Sequence, residues 1–216
     1  DVCSSDLDPN PETLDDREPG QRGRYIGVMH GDYCFSPDLG MKHGALLFYG
    51  LGGDGWMDGG VVPGAHDELS VAFWMKPSAV REQVAVSKYP EGAEGIGWQI
   101  RLYEDAQIGF RIGSVDHFAE VRTQGGFDPF TKSATPHAYT MGPLPRHHGW
   151  THITVTFDGS LAQIYVNGQR SNELTDVAQQ TPALTTPLWI GRANEGQLAL
   201  PFHGLIDDVR VYQRAL

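Results

Sequence analysis

The sequence is short of cysteine, of basic charge and of long apolar runs, and each shortage closes off a class of protein. Two cysteines, Cys3 and Cys34, among 216 residues permit one disulfide at most. The chain is therefore no disulfide-framed mini-domain, and sulfur says little about its compartment. Sixteen Lys and Arg stand against 27 Asp and Glu, a net charge of -11. The bases form no stripe, so nucleic acid is not an expected partner. No apolar run approaches the ~20 residues of a membrane span. The first residues do not read as a signal peptide, an absence that means nothing if the chain is a fragment. Sustained helical periodicity is missing too, and no phosphate-binding glycine loop precedes a helix.

What is present is punctuation and alternation. Twenty-seven Gly and 14 Pro separate short runs with a period of two, the signature of a sandwich or barrel. The charge is uneven. The first 20 residues hold seven acids (Asp1, Asp6, Asp8, Glu12, Asp15, Asp16, Glu18) against Arg17, or -6, which leaves -5 for the rest. Residues 1–23 accordingly read as a disordered acidic tail or a linker. Asp1 to Leu7 also match one frame of a sequencing-library adapter, in which case Cys3 is not biological.

Strands are expected at Ala45–Tyr49, Leu69–Lys76, Glu82–Lys88, Trp98–Tyr103, Gln107–Ile112, Phe118–Arg122, Trp150–Phe157, Ala162–Val166 and Leu188–Arg192. Asp105-Ala106, Asp158-Gly-Ser160 and Asn167-Gly168 read as hairpin turns. Residues 169–186 read as a polar connection, and Gln124 to His148 as a long segment that is either functional or poorly ordered. The closing strand, from Leu205, places Leu205, Asp207, Val209 and Val211 on one face. A carboxylate among three aliphatic side chains needs donors or a cation.

Five stretches, in order, resemble one family. Leu46-Leu-Phe-Tyr-Gly50, Leu69 to Pro77, Trp150 to Gly159 with Ile164-Tyr-Val-Asn-Gly168, Leu188-Trp-Ile-Gly-Arg192 and Gly204 to Leu216 resemble the laminin-G-like jelly rolls of the concanavalin A-like lectin/glucanase superfamily. The resemblance covers residues 24–216. It implies an all-β fold, a two-sheet antiparallel jelly-roll sandwich in which the first and last strands pair. It also implies an extracytoplasmic or secreted module that binds sugars or proteins, often with structural Ca²⁺, among neighbouring domains of a longer parent chain. Such domains usually continue past the point where this chain stops, so a truncated C-terminus is expected.

Four chemistries follow for weighing. Asp207, Asp54 and Asp58, with carbonyls of the Gly50–Gly60 turn, are candidate Ca²⁺ ligands; the alternative is that Asp207 accepts main-chain N–H bonds. A glycosidase needs two carboxylates at fixed spacing on one strand, and no Glu-x-Asp-x-x-Glu-like run exists, so no catalytic residues are expected. Flat rings stack on sugars. Trp98, Tyr139, Trp56 and Phe130 are the candidates, while Trp74, Trp150 and Trp189 are read as core. His147, His148 and His152 are not expected to hold zinc, because the strand separates the last two by about 13 Å. The expectation is a non-catalytic module that recognises a glycan or a protein surface. The alternatives are a purely structural accessory domain of an enzyme and a polysaccharide hydrolase.

Overall fold

The computed structural model describes residues 28–36, 39–41, 44–50, 55–60, 68–88, 97–113, 118–125, 149–177, 186–193 and 200–216. The acidic segment 1–23, most of the 124–148 segment, and Asp54, Phe130 and Tyr139 lie outside them. Fourteen strands occur among the described residues: β1 (Val28–His30), β2 (Tyr33–Ser36), β3 (Ala45–Tyr49), β4 (Trp56–Asp58), β5 (Leu69–Pro77), β6 (Gln83–Lys88), β7 (Gly97–Leu102), β8 (Ile108–Gly113), β9 (Phe118–Arg122), β10 (Thr151–Phe157), β11 (Ala162–Val166), β12 (Gln169–Leu174), β13 (Trp189–Ile190) and β14 (His203–Tyr212). They form two antiparallel sheets of seven strands. Sheet A runs β1-β4-β13-β6-β7-β8-β9, and sheet B runs β12-β11-β10-β5-β14-β3-β2.

Alternation makes the core. Ile100, Phe110, Ile112 and Val121 of sheet A bury against Phe48, Val71, Phe73, Ile153 and Val155 of sheet B. Each such side chain contributes roughly 1.5–3 kcal/mol by leaving water. Phe48 meets Phe202 edge-on at 6.4 Å. At the β11–β12 hairpin Val166 pairs with Gln169, leaving a two-residue loop. Asn167 and Gly168 both take positive φ, 51° and 79°, as the twist of flanking strands requires of such a turn.

The closing strand sits where the resemblance implied. β14 lies between β5 and β3, with His203 opposite Tyr49 and Ile206 opposite Leu46. Its face assignment needs correction. The register slips between Asp207 and Arg210, where Asp208 adopts φ 51°. This bulge inserts a residue and so exchanges the two faces of the strand. Before it, Ile206 joins the main core while Leu205 packs with Ala45 and Trp150 on the outer face of sheet B. Beyond it, Val209 and Val211 pack on the main core. Asp207 therefore points outward with Leu205, not inward with the valines.

Two segments read as connections are strands. β4 falls inside the Gly-rich turn, and β12 pairs with β11 at an edge of sheet B. The glycines and the polar run hid them: β4 has only three residues, and Leu174 is the one aliphatic side chain in β12, so neither shows apolar alternation.

Candidate functional site

The outer face of sheet A carries an unbroken cross-strand row. Asp58 pairs with Trp189, Trp189 with Ser87, Ser87 with Gln99, Gln99 with Arg111, and Arg111 with Glu120. Directly opposed residues share a face. Their chain neighbours Met57, Ile190, Val86, Ile100, Phe110, Ile112, Ala119 and Val121 all reach the core, so the row points away from it.

One end of the row is aromatic. His30 stacks on Trp56 with ring centroids 4.3 Å apart at 14°, and Trp56 meets Trp189 at 4.5 Å and 49°. The Arg192 guanidinium lies 5.4 Å from the Trp56 ring and 5.6 Å from the Trp189 ring. Both indoles are half-buried. Trp189 faces out because Leu188 and Ile190 on either side of it face the core. Asp58 spends one oxygen on the Gly60 N–H at 2.7 Å, and the Ser87 hydroxyl fixes the Arg192 carbonyl at 2.9 Å. The group thus places half-buried aromatic rings, a cation and a carboxylate side by side.

The other end is ionic. The Glu120 carboxylate accepts from the Tyr103 hydroxyl, from Arg111 Nε at 2.9 Å and from Arg122 Nε at 2.8 Å. The Arg122 guanidinium lies 3.7 Å from the Tyr103 ring centroid, and that of Arg111 lies 4.2 Å from the Phe118 ring. A Cβ on Gly109 would come within 2.7 Å of both Glu120 Oε1 and Tyr103 Cε2, so glycine leaves the room this pair occupies. Burial pushes the Glu120 carboxyl up, but the hydrogen bonds from Tyr103, Arg111 and Arg122 outweigh it and leave the group below its ordinary value. Burial first, then the Glu120 bond, pushes the Tyr103 phenol up to about 12.

This charge placement does not suit glycoside hydrolysis. Asp58 and Glu120 are the two carboxylates of the row, and they stand on its first and last strands. Five strand spacings separate them, about 24 Å, against the 5–9.5 Å that paired glycosidase carboxylates need. Glu120 is also held ionised by its donors, the opposite of a general acid.

The remaining candidates divide. Trp56 and Asp58 share the outer face of β4. Trp98, taken as a stacking ring, is corrected: it is 1% exposed within the main core and has no free face. Trp150 is buried as expected, whereas Trp74 and Trp189, read as core, lie half-buried on the outer faces of sheets B and A. Trp74 sits 4.8 Å from the His152 ring. Asp207 belongs to sheet B and Asp58 to sheet A, and no group of three or more His, Cys, Asp or Glu gathers among the described residues. The described residues thus do not bring Asp207 and Asp58 together, and Asp54 lies outside them.

Asp207 instead accepts the Met41 N–H at 2.7 Å. Asp207→Ala should cost about 1–2 kcal/mol by orphaning that donor, equally in calcium and in chelator. A loss seen only with calcium present would make Asp207 a metal ligand after all. Thermal melts under both conditions distinguish the two.

The family model described as the concanavalin A-like lectin/glucanases superfamily, of laminin G type, matches residues 51–216. The chain belongs to this family. No curated protein matches it. Among solved structures, this laminin-G-like chain is similar to domain 4 of AbnA, an extracellular arabinanase from Geobacillus stearothermophilus, in complex with arabinotriose. The identity is 18% and the TM-score 0.60, over 88% of this chain and 83% of that one. It is also similar to the CBM40 of Ruminococcus gnavus IT-sialidase bound to α2,3-sialyllactose, at 13% identity and TM-score 0.51, over 70% and 79%. The binding domain of botulinum neurotoxin serotype D/C matches at 12% and 0.61, over 89% of this chain and 45% of its own length. At these identities the likeness is one of fold, shared with binding domains.

Proposed function

We propose that this laminin-G-like domain is a non-catalytic carbohydrate-binding module of a larger extracytoplasmic protein, and that the His30–Trp56–Trp189 ledge on sheet A is its binding face. The observation that carries the reading is the pair of half-buried indoles in contact, flanked by Asp58 and Arg192. Indole faces match the apolar faces of pyranose or furanose rings, and neighbouring polar groups fix orientation by bonding hydroxyls. Two fold neighbours whose structures hold arabinotriose and α2,3-sialyllactose support the sugar class.

A glycan array with the folded domain tests it. Trp189→Ala and Trp56→Ala should each weaken binding tenfold or more, about 1.4 kcal/mol, with the fold intact by circular dichroism. Trp98→Phe, a core substitution, should leave specificity unchanged. An array on which the parent binds nothing, or on which both indole variants bind like the parent, rejects the ledge and favours a scaffold role.

A further inference from the structure

We infer that the ligand of this ledge carries a carboxylate, and that Arg192 is the residue that selects it: the domain reads acidic glycans. The inference rests on the carbohydrate-binding reading above and adds the charge of the sugar.

The argument is one of unpaired charge. Four arginines reach the outer face of sheet A. Arg101 is paired with Glu82 at 2.8 Å, and Arg111 and Arg122 share Glu120 at 2.9 and 2.8 Å. Of these four, Arg192 alone makes no ion pair among the described residues, in a chain whose net charge is -11. Instead it rests over the two indoles. Its Nε is enclosed and lacks an acceptor, as does the enclosed Trp189 Nε1.

A guanidinium confined beside two aromatic rings has less freedom to lose on binding, and its fork fits a carboxylate bidentately. A neutral sugar would occupy the ring faces and leave the cation unanswered. A carboxylate-bearing sugar answers both. Asp58, across the strand pair from Trp189, would repel a bare anion. It tolerates a polyhydroxylated one, whose hydroxyls can donate to its open oxygen, so inorganic anions are poor ligands here.

The test uses matched pairs that differ only in charge. Oligogalacturonates are titrated beside the same oligomers with carboxyls reduced to alcohols, and sialyllactose beside lactose. The parent should prefer the acidic member of at least one pair tenfold or more, with the preference falling as salt rises. Arg192→Gln should erase that preference, so that the acidic and the neutral member of the pair bind alike. Equal affinity for acidic and neutral members, binding of neutral glycans alone, or a preference that survives Arg192→Gln overturns the inference and leaves the carbohydrate reading standing. Binding to no sugar at all overturns both.

Discussion

Gly204→Ala should destabilise the domain by about 3–4 kcal/mol, a fall of roughly 10 °C in melting temperature for a chain of this size. Two costs add. Gly204 has φ 140°, in the half of conformational space that L-residues avoid at about 1–2 kcal/mol. The new methyl would also meet Pro77 Cα at 2.7 Å and Ser78 N at 2.9 Å, which are backbone atoms of β5 and its extension. They cannot yield cheaply, because Ser78 N–H is bonded to the His203 carbonyl at 2.8 Å and Gly204 stands opposite both Pro77 and Phe48 in the centre of sheet B. Gly168→Ala separates the two costs. Gly168 shares the positive φ but has open space around its Cβ position, and should lose only about 1 kcal/mol. Urea denaturation of the two variants checks this; equal losses would mean that β14 and β5 are not in the close register described.

Glu120→Gln should cost about 2–3 kcal/mol. The Glu120 side chain is 13% exposed and answers two guanidiniums at once. A glutamine presents one acceptor oxygen where three donors converge, and it removes the negative charge that Glu120 sets against Arg111 and Arg122. Breaking a fully buried pair costs 3–5 kcal/mol; the partial exposure of Arg122 lowers that range here. The pH dependence has a definite sign. Glu120 titrates below its ordinary value in the folded state, so its contribution is complete above the unfolded carboxyl value of about 4.3 and fades as pH falls through the lower folded value. Tyr103, raised to about 12, contributes fully below the unfolded phenol value of about 10 and loses that contribution as pH climbs toward the folded one. The gap in stability between parent and Glu120→Gln should therefore be flat from about pH 5 to 9 and narrow below about pH 4. A gap of constant size down to pH 2 would show that the carboxylate's charge plays no part.

Alternation made the sandwich readable before any coordinates, since the inward sets on β5, β8, β10 and β11 follow from period two alone. Alternation cannot show where a strand changes faces. The 205–212 run looks continuous in the sequence, and Asp208 at φ 51° breaks it, moving Asp207 out of the core. Periodicity does orient the tryptophans. Trp98 alternates with Ile100 and Leu102 against Gln99 and Arg101, which places it on the core face, and Trp189 is bracketed by Leu188 and Ile190, a signal that it faces out. Taking the one as a stacking ring and the other as core overlooked that alternation. Arg192 carried no motif. Its meaning depends on which acids its fellow arginines have already claimed, and that is settled by cross-strand register rather than by spacing along the chain. That Trp56 and Asp58 lie on the surface was legible, because tryptophan and an acid in a glycine-rich stretch have little reason to be core.

The place of β14 in sheet B bears on how the molecule is made. Because His203 must find Tyr49, β2 and β3 leave the ribosome long before the strand that joins them to β5 exists. Until β14 arrives, both halves of that sheet present open edges, and the aliphatic faces of β3 and β5 have no common layer. Maturation of this sheet thus waits on a slow search between segments far apart in the chain. A chaperone that shields those edges should raise the yield of soluble domain.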